Sequence, residues 1–146
     1  MTATSDEPGE HPAALVPSAL RKFVARVNRG EYWESHEVLE GPWRESRSDF
    51  LQGLILYASA FVHAKRGNRH GIRAQLAKAR KKLASYPSAY LGLDVDGIRA
   101  HMTRCRDVVE AHPEADPDAW PDLIPFPSLE LDSSRVRGDE PEGSTP

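Results

Sequence analysis

The sequence has a single cysteine, Cys105. An intramolecular disulfide is therefore excluded, and so is a zinc site built from several thiolates. There is also no apolar run long enough to cross a bilayer. The most apolar stretch, Gly53 to Ala64, falls short of the roughly 20 residues a spanning helix needs, and polar groups interrupt it. The opening MTATSDEPGEH lacks the basic and apolar segments of a secretory signal, so the expected location is cytoplasmic, with no membrane partner. No excess of one charge stands out. The net charge is −3, and bulk electrostatics select no class of partner. There is no internal repeat.

The distribution of charge is less even than its sum. Residues 65–106 carry eleven Lys or Arg against Asp94 and Asp96, whereas residues 107–146 carry eleven acids against Arg135 and Arg137. The basic face of the fourth predicted helix lacks interleaved aromatics, so nucleic acid is not an expected partner. The acidic tail either shields the basic centre or is merely solvated.

What is present is helical periodicity. Phe50 to Arg66, FLQGLILYASAFVHAKR, reads as a central buried helix, capped by Ser48-Asp49 and stopped by Gly67-Asn68. Upstream, Leu20, Val24 and Val27, with Phe23, give a first helix that starts near Pro17 and ends before Gly30. In a second helix over 31–45, Tyr32, His36, Leu39 and Trp43 recur at core spacing, and Gly41-Pro42 predicts a kink or an early end. The aromatics Tyr32, Trp33 and Trp43 read as core or staple residues. Ile72, Leu76, Ala79 and Leu83 give a fourth, amphipathic helix over 69–85. Ile98, Met102, Cys105 and Val109 give a fifth over 95–111, capped by Asp94. PEADPDAWPDLIPFP holds five prolines and predicts an extended strap, without helix, up to Leu131. The fold expectation is thus all-α: a single compact bundle of about five helices over 15–131 with an extended Pro-rich C-terminal strap. The tails 1–14 and 132–146 are expected to be disordered.

Three polar residues lie in register on the central helix: Gln52, Ser59 and His63, at i, i+7 and i+11. A polar stripe on a buried helix must find partners. His36 and Glu40, four apart on the second helix, are the expected ones, with Glu37 at the edge. The candidate ligand-binding residues are therefore His36, Glu37, Glu40, Gln52 and His63. A carboxylate and an imidazole at i, i+4 can also hold a metal from one helix, making His36, Glu40 and His63 weak metal candidates. HEVLE is not the H-E-x-x-H zinc motif, because Glu40 stands where the second histidine belongs. No cofactor is predicted. The pattern favours a structural hydrogen-bond network over a small-molecule pocket, and a pocket over a metal site. The competing class is a protein-interaction or oligomerisation module. Cys105 lies on a core stripe and reads as an inert thiol.

The same residues carry a family resemblance. GEYWESHEVLEGPW, then FLQGLILYASAFVHAKRGNRHG and LASYPSAYLGLDV, resemble the DUF309 family, a domain of unknown function. Gly30, Tyr32, Glu34, His36, Glu37, Leu39, Glu40 and Trp43 match the first part of its pattern. Gln52, Gly53, Leu54, Ile55, His63, Gly67, Asn68 and Gly71 match the second. The resemblance spans about residues 20–95. The chain departs from the pattern at Leu56, where many relatives show a second glutamine, and at Gly41-Pro42. The resemblance implies an all-α bundle and a bacterial or archaeal cytoplasmic protein. It implies no reaction.

Overall fold

The computed structural model describes residues 12–132, with side chains from residue 18 onward. The tails expected to be disordered, apart from residues 12–14 and 132, lie outside the described residues. Six helices follow in order: α1 (Pro12–Asn28), α2 (Tyr32–Ser46), α3 (Asp49–Lys65), α4 (Arg69–Leu83), α5 (Val95–Ala111) and the short α6 (Trp120–Leu123). Helix α1 begins at Pro12, earlier than Pro17. Helices α2, α3, α4 and α5 each pack on the helix before them, α5 after an intervening hairpin. Helix α3 touches α2, α4 and α6. It is the central element, as its apolar run implies, with Phe50, Leu51, Leu54, Tyr57, Ala60, Phe61 and Ala64 all buried.

The caps follow the sequence closely. The Ser48 hydroxyl accepts from Leu51 N, the Asn68 side chain from Gly71 N, and Asp94 from Gly97 N, so each helix start gains a partner for an otherwise orphaned N–H. Predicted stripes are also buried: Leu20, Phe23, Val24 and Val27 on α1; Ile72, Leu76, Ala79 and Leu83 on α4; Ile98, Met102, Cys105 and Val109 on α5.

Four expectations are corrected. Helix α2 does not end at Gly41-Pro42 but continues to Ser46. Proline removes one donor without stopping the turns around it, and here its ring is buried with the core. The buried face of α2 is Tyr32, Ser35, Leu39 and Pro42, not the Tyr32, His36, Leu39, Trp43 stripe. Ser35 manages burial because its hydroxyl donates to the Tyr32 carbonyl at 2.7 Å. Trp33 is no core residue; it is 51% exposed. Finally, the Pro-rich segment is not wholly extended. It forms a 3-10 turn at Pro117–Ala119 and then α6, with Trp120 fully buried. Pro121 sits in the first turn of α6, where its missing N–H costs nothing.

The linker before α5 is a two-stranded hairpin, β1 (Ala89–Tyr90) and β2 (Leu93–Asp94), antiparallel with Tyr90 opposite Leu93. Its two turn residues, Leu91 and Gly92, both have positive φ, as a tight primed turn requires. Residues 124–131 then run extended across the bundle. Leu131 bridges Leu93, and the Asn28 side-chain amide both donates to and accepts from the backbone of Leu129 at 2.8 Å.

The tightest helix contact is α3 on α4. A Cβ on Gly53 would lie 2.7 Å from Leu83 Cγ and 3.3 Å from Lys82 Cβ. Gly53→Ala should gain up to about 1 kcal/mol of helix propensity but lose about 1–3 kcal/mol by overpacking. The expected net result is a lower urea midpoint with unchanged slope. A raised midpoint would show that the α3–α4 seam has room to spare.

Candidate functional site

Helix α2 turns its polar residues outward. His36 and Glu40, one turn apart, face each other with Nε2 and Oε2 at 3.6 Å. Arg44 approaches the other oxygen of Glu40 at 3.5 Å, and the Trp33 ring lies 5.1 Å from the His36 ring, tilted by 31°. The imidazole is 19% exposed, yet its Nδ1 is buried and has no hydrogen-bond partner among the described residues. Glu37 is exposed. Trp43 is half-buried, with the Arg47 guanidinium 4.8 Å above its ring.

The α3 stripe does not meet this pair. Gln52, Leu56, Ser59 and His63 are the half-exposed face of an otherwise buried helix. The antiparallel register of α2 and α3 is pinned by Tyr32 on Phe61 and by Lys65 donating to the Gly30 carbonyl. It puts His63 beside the start of α2, about one turn before His36. The His63 ring instead faces α4. It packs on the backbone of Gly71, where any Cβ would collide with it, and its Nδ1 accepts from the Asn68 amide at 3.2 Å. Desolvation, helped by Arg66 and His70, lowers its pKa. His63, Asn68 and Gly71 therefore build the corner between α3 and α4. Gly67, with φ of 69°, completes it by lying against the Pro117 carbonyl. The Gln52 side chain makes no hydrogen bond among the described residues. Of the five candidates, the structure joins only His36 and Glu40, and not in the buried, two-helix cluster expected.

A metal centre gains no support from this geometry. An i, i+4 pair supplies two donors, whereas zinc sites use three or four protein ligands. Among the described residues, no group of three or more His, Cys, Asp or Glu is arranged to hold an ion.

The buried polar network lies elsewhere, around His101. This residue is 6% exposed. Its Nε2 is 2.7 Å from the Pro125 carbonyl, which can only accept, so Nε2 carries the proton. Nδ1 then accepts from the fully buried Tyr57 hydroxyl, also at 2.7 Å. The Cys105 thiol, pushed up to about 12 by burial, is a weak donor to the same carbonyl at 3.5 Å. Desolvation likewise raises the Tyr57 pKa and lowers that of His101. The network ties α3, α5 and the extended segment together. A cavity of about 370 Å³ opens beside it, with Asp94, Arg104 and Glu130 among its lining. Sequence reasoning passed over His101, although it lies three residues after Ile98 and four before Cys105, on the buried face of α5.

Two outcomes follow. Tyr57→Phe should cost about 1–3 kcal/mol, because it leaves Nδ1 of a buried imidazole unpaired. The unfolded chain binds a proton at His101 near pH 6.5, whereas the folded chain resists it to lower pH. Stability should therefore hold above neutrality and fall as the pH drops from about 7 towards 5, with His63 acting in the same direction. Urea titrations across that range check this, and a flat profile would contradict it.

No curated protein and no solved structure matches the chain. Residues 20–75 match one family model, the domain of unknown function DUF309. That segment runs from α1 through α2, α3 and the corner into α4, and so contains His36, Glu40 and every corner residue. Over that segment, rather less than half of its length, the chain is similar to the DUF309 family.

Proposed function

We propose that the chain is a helical ligand-binding domain acting through the outer face of α2, with His36 and Glu40 as the contacting pair. The observation that supports this most strongly is His36 Nδ1, buried and unpaired among the described residues. A buried polar atom without a partner costs about 1–3 kcal/mol, so its retention needs a reason beyond packing. The ligand is a small molecule offering a donor to the Glu40 carboxylate and a hydrogen-bonding group that reaches Nδ1 when the imidazole turns from its buried position towards solvent. Glu37, exposed one turn before Glu40's successor Gly41, meets it from the rim. Gln52, half-exposed and with no side-chain hydrogen bond among the described residues, is the α3 residue available to it. His63, engaged with Asn68 and Gly71, orders the neighbouring corner.

A second reading rests on Trp33. It is exposed and stacks loosely on His36, so the same face could seat a protein partner around an aromatic anchor.

His36→Leu tests the first reading through stability. The half-exposed His36–Glu40 pair contributes little, and leucine removes the unpaired nitrogen. Stability should stay level or rise by about 1 kcal/mol. A loss of 2 kcal/mol or more, on the order of a core truncation, would make His36 structural and sink the reading. Amide spectra during titration with a fragment collection should then shift around α2 in the native chain and not in Glu40→Gln. Trp33→Ala abolishing a protein contact while leaving fragment binding intact would favour the second reading.

A further inference from the structure

Helices α4 and α5 run antiparallel and are tied at three levels. Arg69 grips the Val109 carbonyl, Arg80 donates to Thr103 Oγ1, and Arg99 donates to the Leu83 and Tyr86 carbonyls. Between the ties the helices stand apart. Two cavities, of about 590 and 290 Å³, share Arg80 as a common wall. Together they form a furrow from His70 and Glu110 at one end to Ala84 and Arg99 at the other. It follows α4 for its whole length, about 20 Å at the rise of an α-helix.

The apolar floor of the larger cavity is made by the buried Leu76 and Val109 with Ala74 and the exposed Ala77 beside them, and the smaller cavity is lined by the exposed Ala84 and Ala100. Small side chains on two adjacent helices let a third helix approach closely. The rim is basic. Arg73, Arg80 and Arg106 border the larger cavity, and its single acid, Glu110, is held by Arg73 at 2.9 Å. The partner of Arg80 is a neutral hydroxyl, and among the described residues Arg106 pairs only with its chain neighbour Asp107, at 3.6 Å. Helix α4 as a whole, RHGIRAQLAKARKKL, has no acid. No Phe, Tyr or Trp lines either cavity, and His70 at one end is the single ring on which a base could stack, which is a poor platform for a nucleic acid strand.

We propose that the α4–α5 furrow is a docking groove for an acidic amphipathic helix of a partner protein. Its apolar stripe would lie on the apolar floor, and its carboxylates would meet Arg73, Arg80 and Arg106. This is helix-in-groove recognition, with charge setting the choice of partner and apolar contact supplying the depth. The surface is distinct from the α2 face, and neither proposal needs the other.

The probe is a fluorescent synthetic peptide of about five helical turns, with leucines at i, i+4, i+7 and i+11 and glutamates on the flanks. Binding to the full chain is followed by anisotropy at low and at physiological salt. The expected result is saturable binding that weakens with salt and is absent when lysines replace the glutamates. Ala77→Glu, which puts a like charge beside the floor, should weaken binding by about tenfold or more. Should Ala77→Glu lower the thermal midpoint, Arg106→Glu, on the exposed rim, carries the same test without touching the floor. Four results would overturn the proposal: no binding of the acidic peptide; equal binding of a peptide keeping the glutamates but lacking the leucines; displacement by an oligonucleotide at lower concentration than by peptide; or self-association of the chain that Ala77→Glu abolishes, which would make a second copy the occupant.

Discussion

The close approach of α3 to its neighbours is the constraint on which the rest of the structure depends. A helix buried between α2, α4 and α6 must bring its axis near three others, and only small residues at the crossings permit that. Gly53 lets Leu83 reach the α3 backbone, Gly71 lets the His63 ring lie on α4, and Gly67 lets the α3–α4 corner touch Pro117. Ala58, Ala60, Ala64 and Ala79 continue the theme on both sides of the seam. Bulk is supplied between these points by Phe50, Tyr57 and Phe61: Phe50 meets Tyr86 and Tyr90, and Phe61 meets Tyr57, Tyr32 and Phe126, all in tilted or edge-to-face contacts. Dispersion falls steeply with separation, so fit at the small residues governs how much these large rings contribute.

The C-terminal segment is held differently. Leu129 and Ile124 bury apolar surface, but an extended chain also needs its backbone groups paired. Side chains do this where no sheet is available. Asn28 imitates a strand neighbour for Leu129, and His101 receives the Pro125 carbonyl. Proline suits this task because its own missing N–H leaves only the carbonyl to satisfy. The consequence is that the segment is anchored by an imidazole that must stay neutral, so its attachment carries a pH dependence that the apolar core lacks.

Much of this was legible in the sequence because local rules agreed with the fold. Ser48 and Asp94 cap α3 and α5 where periodicity starts them, and Asn68, read only as a stop for α3, also caps α4. The α1, α4 and α5 stripes are simple because each of these helices buries a single face. Helix α2 misled the reading because Ser35 and Pro42, residues with poor core credentials, are buried, and His36 and Trp43 are rotated towards the rim. The rotation is small, but it is what separates a buried two-helix cluster from an open face. His63 faces α4 and not α2 for a similar reason. On a helix surrounded by neighbours, a stripe gives a direction but not the partner that waits there. The Tyr57–His101–Pro125 network joins residues far apart in the chain, and no local spacing announces such a meeting. Trp120 inside a Pro-rich segment shows the converse: a turn of helix too short for periodicity can still be driven by one large side chain.

The charge distribution gains its meaning only from the fold. Counted along the chain, acids and bases nearly cancel. In three dimensions α2 presents Glu34, Glu37, Glu40 and Glu45 with only Arg44, whereas α4 presents Arg69, Arg73, Lys78, Arg80, Lys81 and Lys82 with no acid. The two helices pack on α3 separately, so the molecule has an acidic side and a basic side although its net charge is small. Such a separation acts within roughly a Debye length of the surface, about 8 Å at physiological salt, and so orients a partner at close range without drawing it from afar. An apolar floor beneath the basic side can then do what charge alone cannot, because contact with alanine and valine is not screened by salt. What distinguishes the acidic side is a single imidazole nitrogen, Nδ1 of His36, held out of water with no partner among the described residues, so that its cost is set by desolvation and not by the surface charge around it.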